Sequence, residues 1–248
     1  EAADDEKSKP YNKARIDARR VGKQGKDYYI LSVGGAHNSN LNCSLPLRGF
    51  HANETTGKTP IYIDHTDELE IEKICAHIAE DDNAIGTRIM YVSNSGDTDE
   101  SDMAFRILLE TMLDTLEQNP QYVENAHLTP NELDIRNAER LSIIMEREIS
   151  SEQYMFVRNR VLITTGENRG RLYDQMSYVG FTTVPYPLTD GRQSAFPLGL
   201  IAQAYLGIDE KTTDAFIHGA DAYIKNMFIL PGDKKTRKIK LDHLDTLL

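Results

Sequence analysis

The sequence predicts a three-layer α/β/α sandwich around a mainly five-stranded parallel sheet. Two observations carry this prediction. Short apolar segments rich in β-branched and aromatic residues alternate with longer segments of helical periodicity. Most of the short segments run into turns that contain Gly, Ser or Asp. Strands that alternate with helices indicate a parallel sheet with helices on both of its faces.

Five segments have the composition of strands. They cover residues 27–33, 59–64, 87–92, 160–164 and 182–186. The last contains Pro185, which cannot donate a hydrogen bond to a neighbouring strand, so it predicts an edge position or a strand end.

Helices are predicted between these strands and after the last one. They cover 67–79, 99–116, a block at 117–155 that breaks between Pro120 and Pro130, a segment that ends near 179, and the segments 196–206 and 210–224. We expect a polar N-terminal arm at 1–26, solvated or helical. One domain at 27–230 follows, with a helical insertion at about 118–155, and then a basic tail at 231–248.

Composition excludes several classes of function. The 248 residues carry 39 acidic against 28 basic side chains, a formal net charge of -11, which argues against non-specific nucleic-acid binding. There is no run of 18 apolar residues, so no membrane span is expected. Cys43 and Cys75 form no metal-binding pattern and favour a reduced, cytoplasmic protein, although one disulfide stays open. We expect neither a cofactor nor a metal. The absence of an initiator Met suggests a processed product or an excised piece.

Three loops follow predicted strands, where ligands of open parallel sheets bind. They lie at 34–36, 93–98 and 190–192. In the second loop, Ser93, Ser95 and Thr98 offer hydroxyl groups, and Gly96 allows a close backbone approach. The helix that follows presents free N–H groups that favour an anion. The alternative is an ordinary helix cap by Ser95 or Asp97, completed by Glu100.

The other two loops also allow two interpretations each. The Gly34-Gly35 pair is either a point of ligand approach or a tight turn, and His37 beside it is either a proton carrier or a structural residue. Arg192 follows Gly191 and suits the stabilisation of a developing oxyanion, but a surface salt bridge is equally compatible with its position.

Several segments, in the same order, resemble a known family. SNSGDTDESDMAFRIL resembles an SKTGTT-type phosphate loop with its helix, and LSVGGAHNSN resembles a GIGGS loop. DGRQSAFPLGLIAQAYLGID, followed by FIHGADA, resembles a stretch with the pattern GGRFSVLSPVGLLP, GID and GA. The family is that of glucose-6-phosphate isomerase, and the resemblance is to its first SIS (sugar isomerase) domain. It covers about 27–224 without the block at 118–155, and it implies an SIS-like fold of flavodoxin- or Rossmann-like topology.

The resemblance implies roles for six residues. Ser93, Asn94, Ser95 and Thr98 would bind the sugar phosphate, Gly35 would approach the sugar, and Arg192 would stabilise the enediolate of the isomerisation. Asn94 stands where the family often has Lys, and Ala36 replaces a Ser, which implies a phosphate site with less charge assistance.

The function implied is interconversion of glucose-6-phosphate and fructose-6-phosphate. In the family the catalytic Glu, the ring-opening His and a C-terminal Lys come after this domain, and their motifs do not occur before Leu248. Glu100 and His37 are candidate bases by position only. We therefore expect a homo-oligomer or a second SIS-containing segment to complete the site. The alternatives are an inactive sugar-phosphate sensor, an SIS-derived structural subunit, or a single-SIS isomerase completed by dimerisation.

Overall fold

The computed structural model of the chain describes residues 13–33, 60–80, 83–93, 95–166, 170–186, 195–208 and 211. Five strands form one sheet in the order β2-β1-β3-β4-β5, and every neighbouring pair is parallel. The strands are β1 (Asp27–Ser32), β2 (Pro60–Ile63), β3 (Thr87–Ser93), β4 (Val161–Gly166) and β5 (Thr182–Tyr186). The five predicted strands are confirmed, and Pro185 lies on an edge strand as expected.

The central position of β3 follows from its sequence. Every residue of the segment TRIMYVS is buried. A strand buried on both faces shows a continuous apolar run instead of alternation. The edge strand β2, with the sequence PIYI, is buried only at Ile63.

Helices connect the strands and cover both faces of the sheet. They are α1 (13–22), α2 (Glu68–Ala79), α3 (Asn83–Gly86), α4 (Asp99–Gln118), α5 (Gln121–Asn125), α6 (Glu132–Met145), α7 (Ser151–Arg158), α8 (Arg171–Tyr178) and α9 (Ala195–Tyr205). None of the described helices is both long and apolar enough to cross a membrane.

Two separate apolar cores confirm the three layers. Tyr29 and Tyr91 point into the larger core, which packs against α2, α4 and α6 to α8. Their chain neighbours Tyr28 and Met90 point into the smaller core, which packs against α1 and α9. The alternation along each strand thus separates the helical layers.

Of the two forms predicted for the N-terminal arm, solvated or helical, residues 13–22 adopt the helical one. They form α1 and bury Ala14, Ala18 and Val21 against the smaller core. The spacing of four and three residues places the three side chains on one helix face. Gly22 ends the helix so close to the backbone of Tyr205 that an added Cβ would lie 1.7 Å from its carbonyl oxygen. The predicted helix 210–224 and the tail at 231–248 lie outside the described residues, apart from Lys211.

The predicted insertion consists of helices α5, α6 and α7, and it packs into the larger core. Leu141 and Phe156 are buried there. The buried Tyr154 hydroxyl donates to the Val179 carbonyl oxygen at 2.6 Å, which ties α7 to the end of α8. The insertion is therefore part of the same folded unit as the sheet.

Candidate functional site

The order of the sheet reverses between β1 and β3. The chain runs from β1 outward to β2 on one side, and then returns to β3 on the other side. Loops that leave the carboxyl ends of two such strands diverge, and the crevice between them is the usual ligand site of this topology. The loop after β3, which contains Ser95 to Thr98, leaves the sheet at this position.

Ser93 lies beneath this loop. It is buried, and its Oγ accepts a hydrogen bond from the Gly96 N–H at 3.0 Å. Burial raises the pKa of the neighbouring Tyr91 hydroxyl, and hydrogen bonds with Ser101 and Ser93 oppose this rise. Among the predicted phosphate ligands, Ser93 is thus the one that shapes the turn, because its oxygen is engaged by the loop backbone.

Ser95 and Thr98 lie together at the outer surface of the loop. Their hydroxyl oxygens are 3.2 Å apart, and the Ser95 Oγ also accepts from the Asp97 N–H at 3.2 Å. Ser95 is exposed and Thr98 half-buried. A hydroxyl donates one hydrogen and accepts at two positions, so both groups can still bond to a ligand oxygen.

The amino end of α4 opens directly beyond these hydroxyls. Thr98 is the N-cap residue, with an extended backbone, yet its side chain caps none of the N–H groups of the helix. Its carbonyl oxygen accepts from the Asp102 N–H at 3.0 Å, which starts the helical ladder. By helix geometry, the N–H groups of Asp99, Glu100 and Ser101 have no acceptor inside the helix.

The predicted alternative of an ordinary cap is wrong. Neither Ser95 nor Asp97 is the N-cap residue, and α4 forms no capping box with Glu100. The Asp97 carboxylate instead accepts from the backbone N–H of Arg171 at 2.7 Å, at the start of α8. The Ser, Thr and Asp residues of this loop correctly predicted that a helix starts here. They did not reveal that the Asp97 carboxylate would bind the first N–H group of α8 and not one of α4.

Two glycines hold the loop against α8. Gly96 has a positive φ of 69°, which a side chain would strain, and Gly170 lies against it. A Cβ on Gly170 would lie 2.1 Å from the Ser95 carbonyl oxygen and 2.5 Å from the Gly96 carbonyl carbon. The Leu172 N–H also donates to the Gly96 carbonyl oxygen at 3.1 Å. The loop is thus fixed by a segment more than 70 residues later in the chain.

Arginines offset the acidic first turn of α4. The Arg171 guanidinium donates to Asp99 at 2.8 Å and lies 3.7 Å from Asp102. Arg106 donates to the same Asp102 carboxylate at 3.2 Å. The hydrogen bond to Asp99 and the charges of Asp99, Asp102 and Asp97 raise the pKa of Arg171. These contacts reduce the repulsion that the two carboxylates would exert on an anion at the helix start.

Two buried hydroxyls of this edge were missed in the sequence. Ser32 is the last residue of β1, and Thr165 lies opposite Ser93 in the β3–β4 register. Neither hydroxyl has a hydrogen-bond partner in the described part of the chain. The available signal was their position at the ends of two strands, which is also where Ser93 lies.

The remaining predicted site residues lie outside the described residues. These are Gly35, Asn94 and Arg192, together with Ala36 and His37. Within the described ranges, no group of His, Cys, Asp and Glu side chains could hold a metal ion.

Fold and site together define a doubly wound parallel α/β/α domain with a hydroxyl-lined loop at the point where the sheet order reverses. No protein-family model matches the chain, and no curated protein matches it. The chain is similar to a solved crystal structure, that of a hypothetical protein from Thermus thermophilus. The two share 19% identity with a TM-score of 0.51, over 82% of this chain and 38% of that chain. At this identity the similarity supports the fold, and this chain spans well under half the length of that protein.

Proposed function

We propose that the chain binds a sugar phosphate at the carboxyl edge of its sheet and takes part in its aldose–ketose isomerisation. One observation carries the binding proposal. The Thr98 side chain is turned toward Ser95 and caps none of the N–H groups at the amino end of α4. Hydroxyls and open N–H groups then converge beside the crevice where this topology binds its ligands.

This arrangement suits a phosphate group without requiring a lysine. The positive end of the α4 dipole and its free N–H groups favour an anion. The hydroxyls of Ser95 and Thr98 supply donors on the open side of the loop. Hydrogen bonds to a charged phosphate oxygen are stronger than those between neutral groups.

The isomerase part of the proposal rests on the resemblance to the glucose-6-phosphate isomerase family. In that assignment Gly35 approaches the sugar and Arg192 stabilises the enediolate. Proton transfer between C1 and C2 needs a general base within hydrogen-bond reach of the substrate. We propose that a second copy of the chain or a second SIS-containing segment supplies it, and that glucose-6-phosphate and fructose-6-phosphate are the substrates.

A non-catalytic sugar-phosphate sensor is the second candidate. Asn94 stands where the family often has Lys, which favours weaker and reversible binding. A sensor would be stabilised by the phosphosugar without converting it.

Binding is tested by calorimetric titration with glucose-6-phosphate, fructose-6-phosphate and unphosphorylated glucose. The double variant Ser95→Ala/Thr98→Val should weaken phosphosugar binding by about tenfold, since it removes two hydrogen bonds to a charged group. Ser177→Ala/Thr183→Val is the matched control. It removes another Ser–Thr hydroxyl pair, 2.8 Å apart, between α8 and β5. Equal affinity of both double variants would contradict the proposed site.

Turnover separates the two candidates. Fructose-6-phosphate is supplied to the whole native assembly, and the glucose-6-phosphate formed is measured. Turnover that Arg192→Gln abolishes supports the isomerase. Saturable binding without turnover supports the sensor, and the absence of both rejects the proposed function.

A further inference from the structure

The opposite, amino edge of the sheet carries a cluster of cationic side chains. Lys26 precedes β1, Arg88 is the second residue of β3, and Arg160 precedes β4. These three strands are neighbours in the sheet. The Lys26 N–H donates to the Gly86 carbonyl oxygen at 2.8 Å, and the Arg160 carbonyl oxygen accepts from the Ile89 N–H at 3.0 Å. The three side chains therefore start from adjacent positions along one edge.

Both guanidinium groups converge on one carbonyl oxygen. Arg88 Nη1 donates to the Ile85 oxygen at 3.0 Å, and Arg160 Nε donates to the same oxygen at 3.2 Å. Arg88 also bonds to the carbonyl oxygens of Thr87 and Lys23. The two like charges are thus held close together by the backbone between them.

Among the described residues, no carboxylate balances this pair. Neither Arg88 nor Arg160 forms an ion pair with any residue in the described ranges, and the side chain of Arg88 is buried. Asp27 begins β1 at the same edge, but its carboxylate is paired with His77 at 3.7 Å. Buried charges are ordinarily paired with an opposite charge, because removal from water is costly. Two neighbouring cations that lack a carboxylate partner among the described residues therefore need a physical explanation.

Unused donors remain at this cluster. The buried Arg88 Nε has no hydrogen-bond partner among the described residues. Arg160 uses Nε and Nη1 for carbonyl oxygens, and within the same ranges its Nη2 has no acceptor. Arg160 is half-buried, whereas Lys26 is exposed and forms no ion pair within the described chain. The aliphatic part of Lys26 packs along Gly86, within 3.0 Å of where a Cβ would lie, which positions its ammonium group at the same edge.

We propose that Lys26, Arg88 and Arg160 form a binding site for a phosphate-type oxyanion at the amino edge of the sheet. Arg160 presents its free Nη2 to the anion, and Lys26 closes the site from the solvent side. Arg88 contributes mainly through its charge, because its Nη1 and Nη2 donate to backbone oxygens and its Nε is buried. A guanidinium beside an ammonium is a suitable pair of donors for a tetrahedral oxyanion.

The electrostatics of the cluster agree with this site. Burial, followed by the charge of Arg88, lowers the pKa of Arg160 to about 9. Burial also lowers the pKa of Arg88. A bound anion opposes both effects by stabilising the charged forms. Because the whole chain carries a net charge of -11, a cationic cluster is not a consequence of its composition.

The test is a titration with inorganic phosphate and with pyrophosphate at constant ionic strength. It uses the full chain with Ser95→Ala/Thr98→Val, so that the carboxyl edge contributes little. Arg160→Gln should weaken binding by about tenfold and Lys26→Met by about threefold, in keeping with the loss of charge-assisted hydrogen bonds. Lys73→Met on the exposed side of α2 removes the same charge elsewhere and should leave the affinity unchanged.

The outcomes distinguish this site from the proposed sugar-phosphate site. Binding that survives Ser95→Ala/Thr98→Val and falls with Arg160→Gln supports the amino-edge site, whatever happens to the phosphosugar. Loss of all phosphate binding in the Ser95→Ala/Thr98→Val background overturns it. If Arg160→Gln fails to fold, the comparison of Lys26→Met with Lys73→Met decides, and equal affinities of those two variants overturn the proposal.

Discussion

The two edges of the same sheet have opposite chemistry. At the carboxyl edge, hydroxyl groups and backbone N–H groups face outward. Arg171 there donates a hydrogen bond to Asp99 in the acidic first turn of α4. At the amino edge, guanidinium groups donate to backbone carbonyl oxygens. The Tyr28 hydroxyl also lies there, 2.9 Å from the carbonyl oxygen of Gly22 and 2.9 Å from that of Gly25.

Helix direction explains much of this difference. Helices that follow parallel strands begin at the carboxyl edge and end at the amino edge. Open N–H groups therefore collect at one edge and open carbonyl oxygens at the other. Arg160 binds such an open carbonyl oxygen at the amino edge, because it donates to the Phe156 oxygen in the last turn of α7. A ligand site at the carboxyl edge is expected from the topology alone. The cations at the amino edge, which have no carboxylate partner among the described residues, do not follow from the topology.

The largest effect is expected from Gly22→Ala at the amino edge. Its Cβ would lie 1.7 Å from the backbone oxygen of Tyr205, which cannot rotate away as a flexible side chain would. Overpacking against backbone should lower the free energy of unfolding by about 3 kcal/mol. Urea denaturation measures this loss. Phosphosugar affinity of the remaining folded protein should be unchanged, and a large loss of affinity would contradict the separation of the two edges.

Gly170→Ala makes the corresponding change at the carboxyl edge. The new Cβ would meet the Ser95 carbonyl oxygen at 2.1 Å and displace the loop. We expect a loss of about 2 kcal/mol in unfolding free energy and a loss of about tenfold in phosphosugar affinity. Calorimetry on Gly170→Ala and Gly22→Ala side by side provides the control, since only the first should affect binding.

Asp97→Ala removes the carboxylate that accepts from the Arg171 N–H. Loss of a helix-capping carboxylate costs about 1 kcal/mol. Phosphosugar affinity should fall less than in Gly170→Ala, because the glycine contact still holds the loop. An affinity loss larger than that of Gly170→Ala would indicate that Asp97 itself contacts the ligand.

Alkaline pH should affect the amino edge through Arg160. Its folded pKa, lowered to about 9, lies well below that of an arginine in the unfolded chain, so the unfolded chain binds more protons above pH 9. Stability relative to Arg160→Gln should therefore rise by about 1 kcal/mol between pH 8 and 10. Paired urea titrations of both proteins measure this difference in phosphate-free buffer. A difference that stays constant or falls with pH would contradict the proposed burial of an unbalanced charge.

Glu100→Gln is expected to have the smallest effect. Glu100 is exposed in the first turn of α4, and its stability change should stay within about 0.5 kcal/mol. Removing one negative charge near the open N–H groups should tighten phosphosugar binding by about twofold. If the protein turns over substrate and this variant abolishes turnover with binding intact, Glu100 is the base.

The parts that could be predicted from the sequence depend on local patterns. Strand β3 was recognisable because a buried strand is apolar along its whole length. The start of α4 was recognisable from its Ser, Thr and Asp residues. In α1, by contrast, basic residues between Ala14, Ala18 and Val21 concealed the apolar face.

Contacts between distant segments could not be predicted. The Gly96–Gly170 contact and the Asp97–Arg171 hydrogen bond each join residues more than 70 positions apart. Arg88 and Arg160 likewise meet only because β3 and β4 are neighbours in the sheet. The sequence therefore predicted the hydroxyls of the candidate site but not what holds them in place.

The most direct test of the sugar-phosphate site is an amide NMR titration with glucose-6-phosphate. Saturable shifts of the Asp99, Glu100 and Ser101 N–H signals are predicted in the unmodified chain and in Ser177→Ala/Thr183→Val. In Ser95→Ala/Thr98→Val these shifts should require about tenfold more ligand. Unshifted signals in this turn at saturation, or the same affinity in both double variants, would contradict a phosphate site at the carboxyl edge.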